Sequence, residues 1–223
     1  MLLNQQEIDK AKHIVIVLPD NFSIDYLCSA NALYTYLLQL HKKVSLYTSK
    51  VDFSSNLAFL PWVDKVKSIY PSSSDYEIHI FSSLKLFEYM QVNNIALNIK
   101  MATSLYAGLL DYSGGFSRGI NGTIFAMAKV LIENKADVLS CNANLLYYQS
   151  LASLRLKSIL LAKMQLQENA TKAVFELEDE DLGKSGACID DAKAVFADAL
   201  GLPTVEIAVL RYKNEEIMKE AIS

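Results

Sequence analysis

The 223-residue chain has little of what marks several common protein classes. Its 8 glycines and 4 prolines are too few for a fibrous repeat or a long disordered segment. The three cysteines, Cys28, Cys141 and Cys188, are scattered and form no CxxC pair, so the sequence indicates neither a zinc site nor a disulfide framework. Unpaired thiols are typical of a reducing compartment.

Long hydrophobic runs and an excess of positive charge are also missing. No apolar stretch is long enough to span a bilayer, and the opening MLLNQQEIDKAKH does not have the pattern of a signal peptide. The net charge of -4 gives no global electrostatic reason to bind nucleic acid or anionic lipid. We therefore expect a cytoplasmic protein with no membrane partner.

The hydrophobic residues alternate between strand and helix patterns. His13 to Leu18 is a continuous, mostly β-branched run that predicts a buried parallel strand. Residues 26–40 have apolar side chains at helical spacing, and residues 42–49 and 75–83 predict two further strands. This alternation favours an α/β fold with a mostly parallel sheet and helices on both faces.

The pattern changes near residue 166, where a predicted long amphipathic helix ends. We expect an α/β domain over residues 1–166 and a small C-terminal α/β tail over residues 167–223, too small to hold an independent core comfortably. The elements predicted in the tail are a strand, a helix and a strand, over residues 172–182, 189–201 and 204–213.

Two aspartates lie in the loop PDNFSID that follows the first predicted strand. Ligands of open α/β sheets bind beyond the carboxyl ends of the strands, which is where Asp20 and Asp25 are expected. Their carboxylates could hold Mn²⁺ or Mg²⁺, which prefer oxygen ligands. The alternative is structural: Asp20 begins a turn after Pro19, and Asp25 occupies the first turn of a helix, where the helix dipole favours it.

A glycine-rich turn, SGGFSRGINGT, contains a second candidate site. Arg118, Asn121 and Thr123 lie just before a predicted helix, and a guanidinium beside a helix N-terminus can bind phosphate. In the alternative interpretation Asn121 or Thr123 caps the helix and Arg118 is solvated.

These motifs resemble those of the DHH-family phosphoesterases, in the RecJ-like branch of oligoribonucleases and pAp phosphatases. IVIVLPDNFSIDYLCSANAL is similar to the family's first motif, H-x-x-P-D-x-D-x-x-G-S-x-x-A-L. LAFLPWVDKV and ATSLYAGLLDYSGGFSRGINGTIFAMAKVLIENKADV are similar to later segments, and the tail resembles the opening half of the DHHA1 domain. The resemblance implies a DHH-like fold, two Mn²⁺ ions and hydrolysis of short oligonucleotides or nucleotide phosphates such as pAp.

The first motif departs from the family pattern in its metal ligands. Ile16 stands where the family has a histidine, and Asp25 matches the second aspartate only if three residues are inserted. Ser82 or Ser83 takes the place of the family's metal-bridging aspartate.

The later motifs depart as well. The D-H-H triplet itself does not occur in the sequence. Tyr112 falls on the position of a further ligand aspartate, and Asp111 is displaced from it by one residue.

From these departures we predict a degenerate phosphoesterase without the two-metal centre, which binds nucleotide or phosphate or acts through a partner. We assign no catalytic residue. One alternative is an active Mn²⁺-dependent phosphoesterase that uses Asp20, Asp25 and Asp111. Another is a structural or regulatory subunit of an intact phosphoesterase. Whether the chain is an enzyme, and whether it forms a homodimer or binds another protein, stays open at this point.

Overall fold

The computed structural model of the chain describes residues 3–49, 53–213 and 215–220. The chain forms two compact units that divide between Tyr148 and Gln149. Within the described residues, no helix combines the length and apolarity that crossing a bilayer requires.

The first unit is built on a parallel sheet of four strands in the order β3-β2-β1-β4. The central strand β1 has four fully or nearly fully buried residues in sequence, since a parallel strand covered on both faces excludes polar side chains. The predicted α/β class with a parallel sheet flanked by helices is confirmed. The strands are β1 (His13–Val17), β2 (Lys43–Tyr47), β3 (Val66–Lys67) and β4 (Tyr76–His79).

Helices follow β1 and β4 of this unit, and side-chain caps begin several of its helices. Asn98 and Asn121 each accept a backbone N–H three residues ahead, which is the usual way a helix start is satisfied. The helices are α1 (Gln5–Lys10), α2 (Ile24–Gln39), α3 (Ser83–Val92), α4 (Ile99–Ser113), α5 (Gly122–Glu133) and α6 (Val138–Asn142), with a π-helical turn at Ala143–Tyr147 and 3₁₀ turns at Ser55–Leu57 and Val63–Lys65.

The strand order places a topological switch point beside β1. From β1 the chain passes through α2 to β2 on one side, and β4 later pairs with β1 on the other side. In open α/β sheets the crevice at such a point, outside the carboxyl ends of the strands, is where ligands bind. The loop that follows β1 and the residues that follow β4 therefore meet at the expected location of a functional site.

The second unit has its own sheet and its own core. Strands β6 and β7 are parallel at its centre, and antiparallel strands flank them in the order β5-β6-β7-β8. Phe175 and Leu210 are buried in a core with residues from the helices of this unit. Its elements are α7 (Leu151–Lys163), β5 (Gln165–Gln167), β6 (Lys172–Leu177), α8 (Asp179–Ser185), a 3₁₀ segment (Ile189–Ala194), α9 (Val195–Ala199), β7 (Ile207–Tyr212) and β8 (Glu215–Glu220).

The structure differs from the sequence analysis around the boundary. The expected long helix ending at Leu166 is interrupted by the π-helical turn, and Ser150 then caps a new helix, α7. Leu156 and Leu160 of α7 are fully buried in the second core, so the units divide before α7 and not after residue 166. That the second unit corresponds to part of a DHHA1 domain stays a prediction.

The predicted strand over residues 172–182 is also shorter than expected. It ends at Leu177, because Glu178 and Asp181 form a reciprocal capping box that begins α8. The carboxylate of Asp181 is buried and accepts hydrogen bonds from Lys163 Nζ at 2.8 and 2.9 Å and from the Glu178 N–H at 3.1 Å. Burial alone would raise the pKa of Asp181, but these hydrogen bonds hold it below its ordinary value.

We predict that Asp181→Asn lowers the free energy of unfolding at pH 7 by about 1–2 kcal/mol, because it weakens charged hydrogen bonds in the second unit. The wild-type advantage is present above the ordinary carboxyl pKa and is lost as the pH falls through the lowered one. Urea unfolding followed by far-UV circular dichroism between pH 7 and pH 3 measures it.

Asp190→Asn is the matched control, because Asp190 pairs with Lys193 on the exposed surface of the same unit. This substitution should change stability by less than about 0.5 kcal/mol. Equal effects of the two substitutions at pH 7 would contradict the role assigned to Asp181.

Candidate functional site at the carboxyl edge of the first sheet

Asp25 and Asp111, 86 residues apart in sequence, meet at the start of α2. The backbone N–H of Asp25 donates to Asp111 Oδ2 at 3.0 Å. The first N–H groups of a helix have no acceptor within the helix, and the N-cap residue Ser23 makes no side-chain capping bond. The carboxylate of Asp111, near the end of α4, therefore supplies an acceptor that α2 does not provide for itself.

The side chain of Asp25 supplies the corresponding acceptor at the start of α3. Its Oδ1 accepts the backbone N–H of Ser83, the first residue of α3, at 2.9 Å. The Ser83 hydroxyl in turn donates to the carbonyl oxygen of Asp25 at 3.1 Å. Asp25 is 4% exposed and Ser83 is 1% exposed, so these bonds are shielded from water. Two helix N-termini are thus joined through two carboxylates.

Gly108 makes this close approach possible. A Cβ atom built on Gly108 would lie 2.0 Å from Ser83 Oγ and 2.9 Å from Asp25 Oδ1. Both distances are far shorter than van der Waals contact, so α4 can lie against these side chains only where it carries a hydrogen in place of a Cβ. The sequence motifs give Gly108 no role, although a lone glycine inside a helix pattern often has a packing or functional reason.

Burial shifts the pKa values of Asp25 and Cys28 at the start of α2. It raises the pKa of Asp25, hydrogen bonds from Ser83 oppose the rise, and the nearby charge of Asp111 adds to it. Cys28, one helical turn further along α2, is fully buried. Burial and the charges of Asp25 and Asp111 raise the pKa of its thiol well above the ordinary value. Cys28 is therefore held as a neutral thiol and is unsuited to act as a nucleophile.

The third aspartate proposed from the sequence has a different environment. Asp20 is exposed, and its Oδ1 accepts the hydroxyl of Ser49, just past β2, at 2.5 Å. His79, at the end of β4, is also exposed and lies 3.8 Å from the carboxylate of Glu77. In the part of the chain that the structure describes, no three or more His, Cys, Asp or Glu side chains are grouped so that they could hold a metal ion.

These residues do not fit the bimetallic centre that the sequence resemblance implies. Such a centre needs several carboxylate and imidazole ligands around two cations. Here Oδ1 of Asp25 faces an N–H donor, and Ser83, four residues past the carboxyl end of β4, is packed against Gly108. It is Asp111, and not Tyr112, whose side chain reaches Asp25; Tyr112 is exposed.

The three residues proposed for phosphate lie in and after the glycine-rich turn. Asn121 caps α5, its side-chain oxygen accepting the Ile124 N–H at 3.1 Å, and Thr123 is exposed in the first turn of that helix. Arg118 is exposed, and its Nη2 donates to the carbonyl oxygen of Asp111 at 3.4 Å. Asp111 therefore contacts Asp25 through its carboxylate and Arg118 through its carbonyl.

Comparison with known proteins supports the fold. No family model matches the chain, and no curated protein matches its sequence. Among solved structures the chain is similar to an exopolyphosphatase-related protein from Bacteroides fragilis, with a TM-score of 0.77 and 18% sequence identity over 92% of this chain and 77% of that chain. At this identity the likeness establishes the fold and leaves the reaction and the ligand to be argued from the residues.

We predict that Gly108→Ala destabilises the first unit by about 1–3 kcal/mol, the usual cost of overpacking, although alanine is the better helix former. Trp62, the only tryptophan of the chain, lies in this unit and donates to Thr35 of α2 at 2.8 Å. Urea unfolding followed by Trp62 fluorescence should therefore report the loss.

The control for this substitution is Gly183→Ala, which introduces the same methyl group into α8. A Cβ at Gly183 meets no atom within 4 Å, so this variant should be as stable as the wild type or more stable by up to about 1 kcal/mol. A Gly108→Ala variant with wild-type stability would mean that the close contact is not maintained in solution.

The raised pKa of Asp25 gives a pH-dependent prediction with a defined sign. The carboxyl contributes its full stability below its ordinary pKa near 3.8 and loses it as the pH rises through the folded-state value. In metal-free buffer, the unfolding free energy of the wild type relative to Asp25→Asn should therefore fall from pH 4 to pH 7. A difference that stays constant or increases over this range would contradict the assignment.

Proposed function

We propose that the chain is a degenerate DHH-family phosphoesterase that binds a nucleotide or short oligonucleotide through a phosphate group and does not hydrolyse it by a two-metal mechanism. The observation that carries the proposal is the 2.9 Å hydrogen bond from the Ser83 N–H to Asp25 Oδ1, because it commits one oxygen of a carboxylate at the switch point to the protein itself. The loss of carboxylate and histidine ligands at the matching positions of the sequence points the same way.

The phosphate part of the proposal rests on the glycine-rich turn. Arg118 supplies an exposed cation one turn before α5, and the first N–H groups of α5 have no acceptor within the helix. The cap formed by Asn121 satisfies the Ile124 N–H alone among them. The solved structure with a similar fold is described as exopolyphosphatase-related, which is compatible with a phosphate-bearing ligand.

Calorimetry on metal-stripped protein tests this function with pAp and a 5′-phosphorylated dinucleotide as probes. We expect binding without turnover, and we expect Arg118→Ala to weaken it about tenfold, since a charged hydrogen bond contributes about 1.5 kcal/mol or more. Arg155→Ala, which removes an exposed guanidinium from α7, is the matched control and should leave the affinity unchanged.

The same samples, supplied with Mn²⁺, decide between the proposal and an active enzyme. Release of phosphate or mononucleotide that requires Mn²⁺ and disappears in Asp25→Asn would identify a working metal centre and contradict the proposal. Failure of both probes to bind would refute the phosphate site.

A further inference from the structure

We infer that Asp25 and Asp111 act as internal N-terminal caps of α3 and α2, and that this capping pair holds the carboxyl edge of the first sheet together without bound cations. The inference goes beyond the proposed function, because it assigns these two carboxylates a structural task whatever ligand the chain binds.

The need for these caps follows from the helix starts themselves. Ser23 leaves α2 without a side-chain cap, and at α3 the Ser82 hydroxyl accepts only the Lys85 N–H, at the long distance of 3.5 Å. The Ser83 N–H is in a residue that is 1% exposed, so water cannot replace a missing acceptor. A buried N–H without an acceptor is costly, which makes the Asp25 carboxylate necessary for α3 to begin where it does.

The helix ends also supply the positive charge that two neighbouring carboxylates require. A helix N-terminus carries a partial positive charge, and α2 and α3 both direct theirs toward this acidic pair. In a bimetallic centre the two cations would offset the negative charge of the carboxylates. Here backbone N–H groups offset it, at 3.0 Å from Asp111 Oδ2 and at 2.9 Å from Asp25 Oδ1.

The packing around Asp25 leaves little room for a cation on the capped side. Oδ1 receives an N–H, and Gly108 lies so close that even a Cβ there would be 2.9 Å from this oxygen. A cation bound to Oδ1 would compete with the Ser83 N–H for this oxygen and with α4 at Gly108 for the space beside it. A metal ion at this oxygen would therefore weaken the hydrogen bond that begins α3.

Three variants in EDTA-treated protein separate a cap from a metal ligand. Asp25→Ala removes the acceptor, Asp25→Asn keeps an oxygen that can accept the Ser83 N–H but is a poor metal ligand, and Asp20→Asn changes the exposed aspartate of the same loop. Urea unfolding of each is followed by Trp62 fluorescence, with and without about 1 mM Mn²⁺.

For a cap we expect the unfolding midpoint of Asp25→Ala to fall by roughly 1 M urea in EDTA, while Asp25→Asn and Asp20→Asn stay near the wild type. Mn²⁺ should leave the wild-type midpoint unchanged. The inference is overturned if Mn²⁺ raises the wild-type midpoint but not that of Asp25→Asn, or if Asp25→Ala is as stable as the wild type in EDTA.

If Asp25→Ala does not fold, the wild type and Asp25→Asn still decide the question through their response to Mn²⁺. The outcome is also separable from that of the proposed function. Absence of phosphate binding leaves the stability results untouched. Phosphate binding with an Mn²⁺-dependent midpoint would overturn the capping role and would leave the phosphate site in place.

Discussion

The architecture of the first unit depends on the hydrogen bonds of Asp25, whose carboxylate is buried between the starts of α2 and α3. Asp25 accepts the first N–H of α3 while its own backbone N–H is accepted by Asp111 of α4. Three helices are thereby fixed at the carboxyl end of β1. Because buried N–H groups must find acceptors, the starts of α2 and α3 are each determined by the position of a carboxylate from another element.

The chemistry available at the carboxyl edge of the first sheet follows from the same hydrogen bonds of Asp25. The crevice at a topological switch point usually presents free N–H groups and side chains to a ligand. Here one N–H at the start of each of α2 and α3 is occupied by a carboxylate of the protein itself, and the hydroxyl of Ser83 is turned inward toward the Asp25 carbonyl. What stays exposed nearby is Asp20, Arg118 and the first turn of α5. A phosphate group is therefore better accommodated beside α5 than between α2 and α3.

Gly108 shows how one small residue permits the arrangement. Its missing Cβ lets the Ser83 side chain lie against α4. Any larger residue would separate α4 from α3 and would lengthen the hydrogen bond to Asp25, which loses strength steeply as its geometry worsens. The glycine, the serine and the two aspartates form one packed and hydrogen-bonded cluster.

Several elements of the fold and one helix cap could be predicted from local sequence. The β-branched run of β1, the helical spacing of α2 and the cap formed by Asn121 depend on neighbouring residues, and the structure contains each of them. The apolar spacing predicts one continuous helix across the interruption before α7, since no glycine or proline marks it. The N-cap serine Ser150 is the available local signal. The Glu178–Asp181 capping box that ends β6 is also a local signal, although the strand pattern predicted over residues 172–182 runs across it.

The sequence alone determined which chemical groups are present at the carboxyl edge, namely two aspartates after the first strand, a serine after the fourth and an arginine in a glycine-rich turn. The tertiary structure decided what those groups do. Asp25 meets Ser83 across 58 residues and Asp111 across 86, and separations of that length carry no local signal. Whether a carboxylate binds a cation or caps a helix depends on which donors surround it, and only the folded chain brings those donors within hydrogen-bonding distance.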